Sequence, residues 1–318
     1  MLRDPERQRT YRNPVYAGYF ADPFVLRWGD RYVAYGTGSV IDGLVFETLV
    51  SADLVTWERV GGALRPVLSE FGSTYWAPEV VEADGRFWLY YSVGHEDAGH
   101  QIRVAAASSP FGPFVDEGVN LTPHERFAID PHPFRDDDGT WYLYYARDVL
   151  DGERVGTQIA ADVLPTMTSA AGRPRQILAA SADWQLYERN RWIYGGRYDW
   201  HTLEGPTVQR RGGAYYLMYS GGSWLGPGYA VAWARSDHPL GPWREPSGDA
   251  RLLATEPGRV RGPGHNSIVT TRGGSDLIVY HAWDESATRR LMCIDPLTWD
   301  LDGPHTSGPS WQDRPVLD

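Results

Sequence analysis

Bulky aromatic and β-branched runs of about five residues recur along the chain, each reached through a polar turn that contains glycine. The cleanest copy spans residues 130–147, Asp-Pro-His-Pro-Phe-Arg-Asp-Asp-Asp-Gly-Thr-Trp-Tyr-Leu-Tyr-Tyr-Ala-Arg. A run so bulky and so short predicts a strand in a buried sheet, so the unit reads as a hairpin with an acid at its mouth. Four further copies follow the same plan. Asp22-Pro23-Phe24 leads through Gly29-Asp30 into Tyr32-Val33-Ala34-Tyr35, and Ala77-Pro78-Glu79 leads through Asp84-Gly85 into Phe87-Trp88-Leu89-Tyr90-Tyr91. Glu204-Gly205-Pro206 leads through Gly212-Gly213 into Tyr215-Tyr216-Leu217-Met218-Tyr219, and Gly264-His265-Asn266 through Gly273-Gly274 into Leu277-Ile278-Val279-Tyr280-His281.

After each hairpin comes another strand pair. Four tails carry a turn and an aromatic: Leu54 to Trp57, Phe111-Gly112-Pro113-Phe114, Leu240-Gly241-Pro242-Trp243 and Leu297-Thr298-Trp299. The third tail, around Val163-Leu164-Pro165, is degenerate. Repeats of roughly 50 to 75 residues with four short strands each predict an all-β, five-bladed β-propeller, its four-stranded antiparallel blades set around a central channel. A repeat array closed on itself is one domain, here residues 1–318. Residues 165–200, rich in tryptophan and tyrosine, are the least regular part and are expected to wall a pocket as a long functional loop.

Composition sharpens this picture. Thirty-five glycines and 23 prolines suit a protein of tight turns with little helix. A net charge of −11 argues against nucleic acid, whose binding needs clustered Lys and Arg, and favours a neutral partner such as a sugar. The single cysteine, Cys293, forbids an internal disulfide. The start of the chain has no apolar leader core and no 18-residue apolar window exists, so a cytoplasmic protein without a membrane span is expected. The end shortly after Trp311 is read as leaving no room for an appended binding module.

In a propeller the innermost strands run side by side along one axis, so equivalent positions converge however distant they are in sequence. The mouth positions are Asp22, Glu79, Asp130, Glu204 and His265. Like charges crowded together repel, and such a ring is kept for chemistry or for a positive ligand. Cleavage of a glycosidic bond fits: one carboxylic acid protonates the leaving oxygen while a carboxylate activates water or attacks, and a third can tune the acid. The aromatic side chains, Trp76 next to a mouth among them, offer flat faces for sugar rings. Asp136-Asp137-Asp138 reads as a solvated hairpin tip rather than a metal loop.

The ordered set Ala21-Asp22-Pro23-Phe24, Trp76-Ala77-Pro78-Glu79, Ile129-Asp130-Pro131, Leu203-Glu204-Gly205-Pro206 and Gly264-His265-Asn266-Ser267 resembles glycoside hydrolase family 43 over nearly the whole chain. The resemblance implies a five-bladed propeller and an inverting mechanism on arabinose- or xylose-containing glycans. It implies Asp22 as general base, Asp130 as the carboxylate that tunes and positions the acid, and Glu204 as general acid. Glu79 is then structural, bonded to nearby backbone. Arg290, beside Arg289, matches an arginine that reaches the substrate, and His265 matches a histidine that lies beside a calcium ion or water. No cofactor is required for the chemistry, and a calcium ion near the axis would be structural. Inversion needs room for water, so the Asp22 and Glu204 carboxyl groups are expected roughly 6.5 to 9.5 Å apart. Three activities stay open: an exo-acting arabinofuranosidase or xylosidase on oligosaccharides, an endo-acting arabinanase, and a non-catalytic glycan-binding propeller. The Asn-Asp-Pro and Glu-Cys of the related fructan enzymes are not found here, and no basic phosphate pocket of a phosphorylase can be located in the sequence.

Overall fold

The computed structural model describes residues 9–317; the segment 1–8, on which the leaderless reading rests, lies outside the described residues, as does Asp318. Apart from two short 3-10 turns, Ser69–Phe71 and Asp183–Gln185, its regular structure is all β. Five antiparallel meanders of four strands follow one another. The first is Ala21–Trp28, Arg31–Thr37, Val45–Ser51 and Glu58–Leu64; the second is Thr74–Ala83, Arg86–His95, Ala98–Ala107 and Val115–Asn120. The third is Ala128–Arg135, Trp141–Val149, Gly156–Leu164 and Arg175–Leu178. The fourth is Gly196–Arg211, Ala214–Gly221, Ala230–Ser236 and Arg251–Leu253, and the fifth is Arg261–Thr270, Asp276–Trp283, Arg290–Trp299 and Pro304–Thr306. The first strand of each meander packs against that of the next, and that of the fifth returns to the first.

The second strands explain why the repeats carry uninterrupted aromatic runs. Each is covered on both faces, so neighbouring residues on one strand enter different cores. Tyr35 packs toward the second meander and Ala34 toward the fifth; Tyr91 packs toward the first and Tyr90 toward the third. Tyr144 and Tyr145, Tyr219 and Met218, and Val279 and Ile278 divide in the same way. Five clusters result, one at every junction. The tails lock these junctions: the Tyr35 hydroxyl donates to the carbonyl of Pro110 at 2.5 Å, and that of Tyr144 to the carbonyl of Pro239 at 2.5 Å.

Two readings of the chain need correction. Residues 165–200 are not a loop: they supply the outer strand of the third meander and a hairpin, Leu186–Ile193 with the first half of Gly196–Arg211. A short parallel ladder, Gly156 and Thr157 beside His201 and Thr202, also joins the third and fourth meanders into one nine-stranded sheet. The acidic tip is mostly solvated, with Asp137 and Asp138 exposed, but Asp136 is half-buried and accepts the Tyr215 hydroxyl at 2.7 Å. Among the described residues no helix is long and apolar enough to cross a membrane.

Candidate active site

Each first strand slips its register early in its pairing with the second, and at each slip one residue takes positive φ: Asp22 (49°), Ala77 (48°), Asp130 (59°), Gly205 (56°) and His265 (47°). A bulge of this kind turns the side chains near it toward the end of the channel. Asp22, Asp130 and His265 therefore share a phase, whereas Glu204 stands one residue earlier and Glu79 two residues later. That difference sorts the five mouth residues. Asp22, Asp130, Glu204 and His265 line one cavity of about 310 Å³ together with Trp76, Arg290, Thr74, Glu96, Asp97 and Trp224. Glu79 lies below it and lines a separate cavity at the other end of the channel. Its partner is not backbone: His132 Nε2 accepts the Val208 amide at 3.0 Å, so Nδ1 carries the proton and donates to Glu79 Oε2 at 2.7 Å.

The three carboxyl groups sit in unlike surroundings. Burial works to raise the Asp22 carboxyl, but the Arg290 guanidinium, with help from His265, holds it well below the usual range. Arg290 Nη1 donates to Asp22 Oδ1 at 3.1 Å, and its Nη2 donates to the Tyr19 hydroxyl at 2.8 Å. The guanidinium lies over the Trp224 ring, 4.6 Å from its centroid. Arg289 instead reaches Asp284 and the carbonyl of Ala17, so Arg290 is the arginine of the site. Among the described residues no cationic side chain is in ion-pair contact with Glu204. Burial pushes its carboxyl up to about 7, against the Tyr229 hydroxyl that donates to Oε1 at 2.7 Å, and the Asp22 charge pushes the same way as burial. Burial also raises Asp130 well above the usual range, with Glu204 and Asp22 adding to it, while the Gly205 amide donating to Oδ2 at 2.9 Å opposes the shift.

His265 Nδ1 is 3.5 Å from Asp22 Oδ1 and 3.9 Å from Asp130 Oδ2, between the two carboxylates. Burial holds this imidazole below its ordinary value. Among the described residues no group of three or more His, Cys, Asp or Glu side chains is arranged to hold a metal ion. Trp76 both lines the cavity and packs: its ring stacks on buried His100 at 3.7 Å between centroids, which leaves its other face for a ligand.

The model for glycosyl hydrolases family 43 matches residues 11–304. The chain belongs to this family. Among family members and relatives, a β-D-galactofuranosidase of Aspergillus niger is 28% identical over 92% of this chain and 83% of its own length. An extracellular endo-α-(1→5)-L-arabinanase of Bacillus subtilis is 26% identical over 89% of this chain and 86% of its own. A crystal structure of a thermostable family-43 glycoside hydrolase superposes with a TM-score of 0.85 at 31% identity, covering 96% of this chain and 99% of that one. As a family 43 glycoside hydrolase the protein acts on carbohydrate.

Several residues in the cavity or bonded to its carboxyl-bearing residues carry no repeat signal. Trp224 lies between strands, as does Tyr229, whose ring fits because Gly264 has no side chain to collide with it. His281 is the exception: a polar residue ending an apolar run could have marked it. Its Nδ1 accepts the Asp22 amide at 3.1 Å, and burial lowers the imidazole to about 4, so the ring is neutral and carries its proton on Nε2.

Proposed function

We propose that the five meanders are the blades of one propeller domain, and that the protein is an inverting, exo-acting glycoside hydrolase releasing a pentose from arabinan- or xylan-derived oligosaccharides. The opposite treatment of two carboxyl groups in one cavity carries this reading. Asp22, held ionised by Arg290, takes a proton from water as its oxygen bonds the anomeric carbon. Glu204, raised to about 7, gives its proton to the glycosidic oxygen as that bond breaks from the opposite side. The sugar acquires oxocarbenium character in passing and leaves with inverted configuration. Asp130 lies beside Glu204 with its own carboxyl raised by burial and by the Glu204 charge, so the two hold a proton between them, on Glu204 in the form that reacts.

Of the two pentosides, α-L-arabinofuranoside is favoured, because the two relatives described above are a β-D-galactofuranosidase and an endo-α-(1→5)-L-arabinanase. Exo action is supported by the small cavity, walled by Trp76, Trp224 and the turn at Glu96 and Asp97. The endo-arabinanase reading rests on the Bacillus relative. Chromatography of the products of arabino-oligosaccharides decides between them: exo action gives monosaccharide from the first time point, endo action a ladder of mid-length products. Proton NMR at early times should show the inverted anomer. Glu204→Gln should lose at least about a hundredfold on oligosaccharides and far less on a nitrophenyl glycoside, whose leaving group needs little protonation. Equal losses on both substrates would refute the assignment.

A further inference from the structure

At each of the five bulges, the amide of the left-handed residue is buried and requires an acceptor. At four junctions the acceptor stands at one place: on the second strand of the preceding meander, opposite the residue just before the left-handed one. Thr37, opposite Ala21, accepts the Ala77 amide at 2.8 Å; Ser92, opposite Trp76, accepts that of Asp130 at 2.9 Å. Ser220, opposite Glu204, accepts the His265 amide at 2.7 Å, and His281, opposite Gly264, accepts that of Asp22 at 3.1 Å. The third meander breaks the rule. Opposite Ile129 it has Ala146, fully buried and without an acceptor, and the Gly205 amide turns to Asp130 Oδ2 at 2.9 Å.

We propose that Ala146 is a positioning residue for hydrolysis: by withholding an acceptor from the Gly205 amide, it makes the Asp130 carboxylate serve instead and fixes that carboxylate beside Glu204. This rests on Glu204 being the proton donor. Asp130 and Glu204 are buried together and influence one another, so they share protons as a pair. Their hydrogen-bond donors differ in kind. An amide can only donate, so Gly205 favours Asp130 in its charged form. The Tyr229 hydroxyl, as it donates to Glu204, also favours the charged form, but unlike an amide it can turn and accept from a protonated Glu204, and so holds that carboxyl to its charged form less strictly. The proton is thereby steered onto Glu204, where the leaving oxygen needs it.

Ala146→Ser supplies at this junction the hydroxyl that Ser92 and Ser220 supply at theirs, and frees Asp130 from Gly205. Activity on oligosaccharides should then fall at least about tenfold, with a much smaller loss on a nitrophenyl glycoside, and the basic limb of kcat/KM should move to lower pH. Thr37→Ala, which removes the matching hydroxyl at the first junction, should lower Tm but leave that limb in place. A second comparison needs no activity. Asp130→Ala orphans the Gly205 amide, and adding Ala146→Ser should recover at least about 2 °C in Tm without restoring hydrolysis. A folded Ala146→Ser enzyme with unchanged substrate ratio and pH profile overturns the proposal, as does no Tm recovery in the double variant. Failure of the functional reading would show separately, as oligosaccharide hydrolysis retained by Glu204→Gln, and the proposal would fall with it.

Discussion

Glu204 and Asp22 set opposite limits on pH. Burial raises Glu204 to about 7, and as the proposed proton donor it must be protonated, so kcat/KM should fall as pH rises through that value. Asp22, as the proposed base, must be ionised, and with its carboxyl held well below the ordinary range the acid limb should lie below that range too. Stability follows the same signs. What Glu204 contributes is complete below its ordinary value of 4.5 and is lost as pH rises through about 7; what Asp22 contributes is present above its ordinary value of 3.8 and lost only as pH falls through its depressed one. Tyr229→Phe removes the hydroxyl that favours the Glu204 carboxylate, so the basic limb should move to higher pH, and a pH–rate profile checks the direction. Asp22, Asp130 and Glu204 were legible in the sequence because each stands at a repeated bulge next to proline or glycine. Trp224 and Tyr229 were not, since loops outside the repeat carry no phase to compare. The phase itself misled for Glu79: a shift of two residues along the strand sends it to the far cavity, something only the register reveals.

Among elements, the first strand of the fifth meander shows how backbone shape serves the chemistry. A side chain at Gly264 would strike the Tyr229 ring, so Gly264→Ala should displace that ring from Glu204. A cost of about 1–3 kcal/mol is expected from overpacking, seen as a lower Tm, together with the same move of the basic limb as Tyr229→Phe. The second strands were the most legible elements, because burial on both faces demands bulk at every position. The hairpin of residues 186–200 was opaque for the opposite reason: two register slips break its two-residue period, and it mixes exposed Glu188, Arg189 and Trp192 with half-buried neighbours. Its Tyr187 hydroxyl is raised chiefly by burial, with the Glu204 and Asp97 charges adding to it.

At the scale of the molecule, five equivalent cores make the ring legible from five equivalent repeats, whereas the ladder joining the third and fourth meanders follows from tertiary contact alone. Among the described residues each meander is built from contiguous chain, so no strand is lent across the junction of the fifth and first. That junction is held by its core of Val25, Leu49, Val279 and Ile294 and by a two-residue ladder, Thr10 beside Pro315 and Tyr11 beside Arg314. Asn13 adds a stitch, its side chain bonded to both the amide and the carbonyl of Ile294. The ladder makes residues 9 and 316 neighbours, with the Val316 amide donating to the carbonyl of Arg9 at 2.9 Å. A circular permutant cut within residues 121–127 and spliced across this ladder with a short Gly/Ser linker should keep its circular-dichroism spectrum and activity. A clasp so small also says where the toroid would part under load: pulled or heated, it should unbuckle here before any sheet ravels, and hydrogen exchange at Tyr11 and Val316 would outpace that at Leu89 or Leu217.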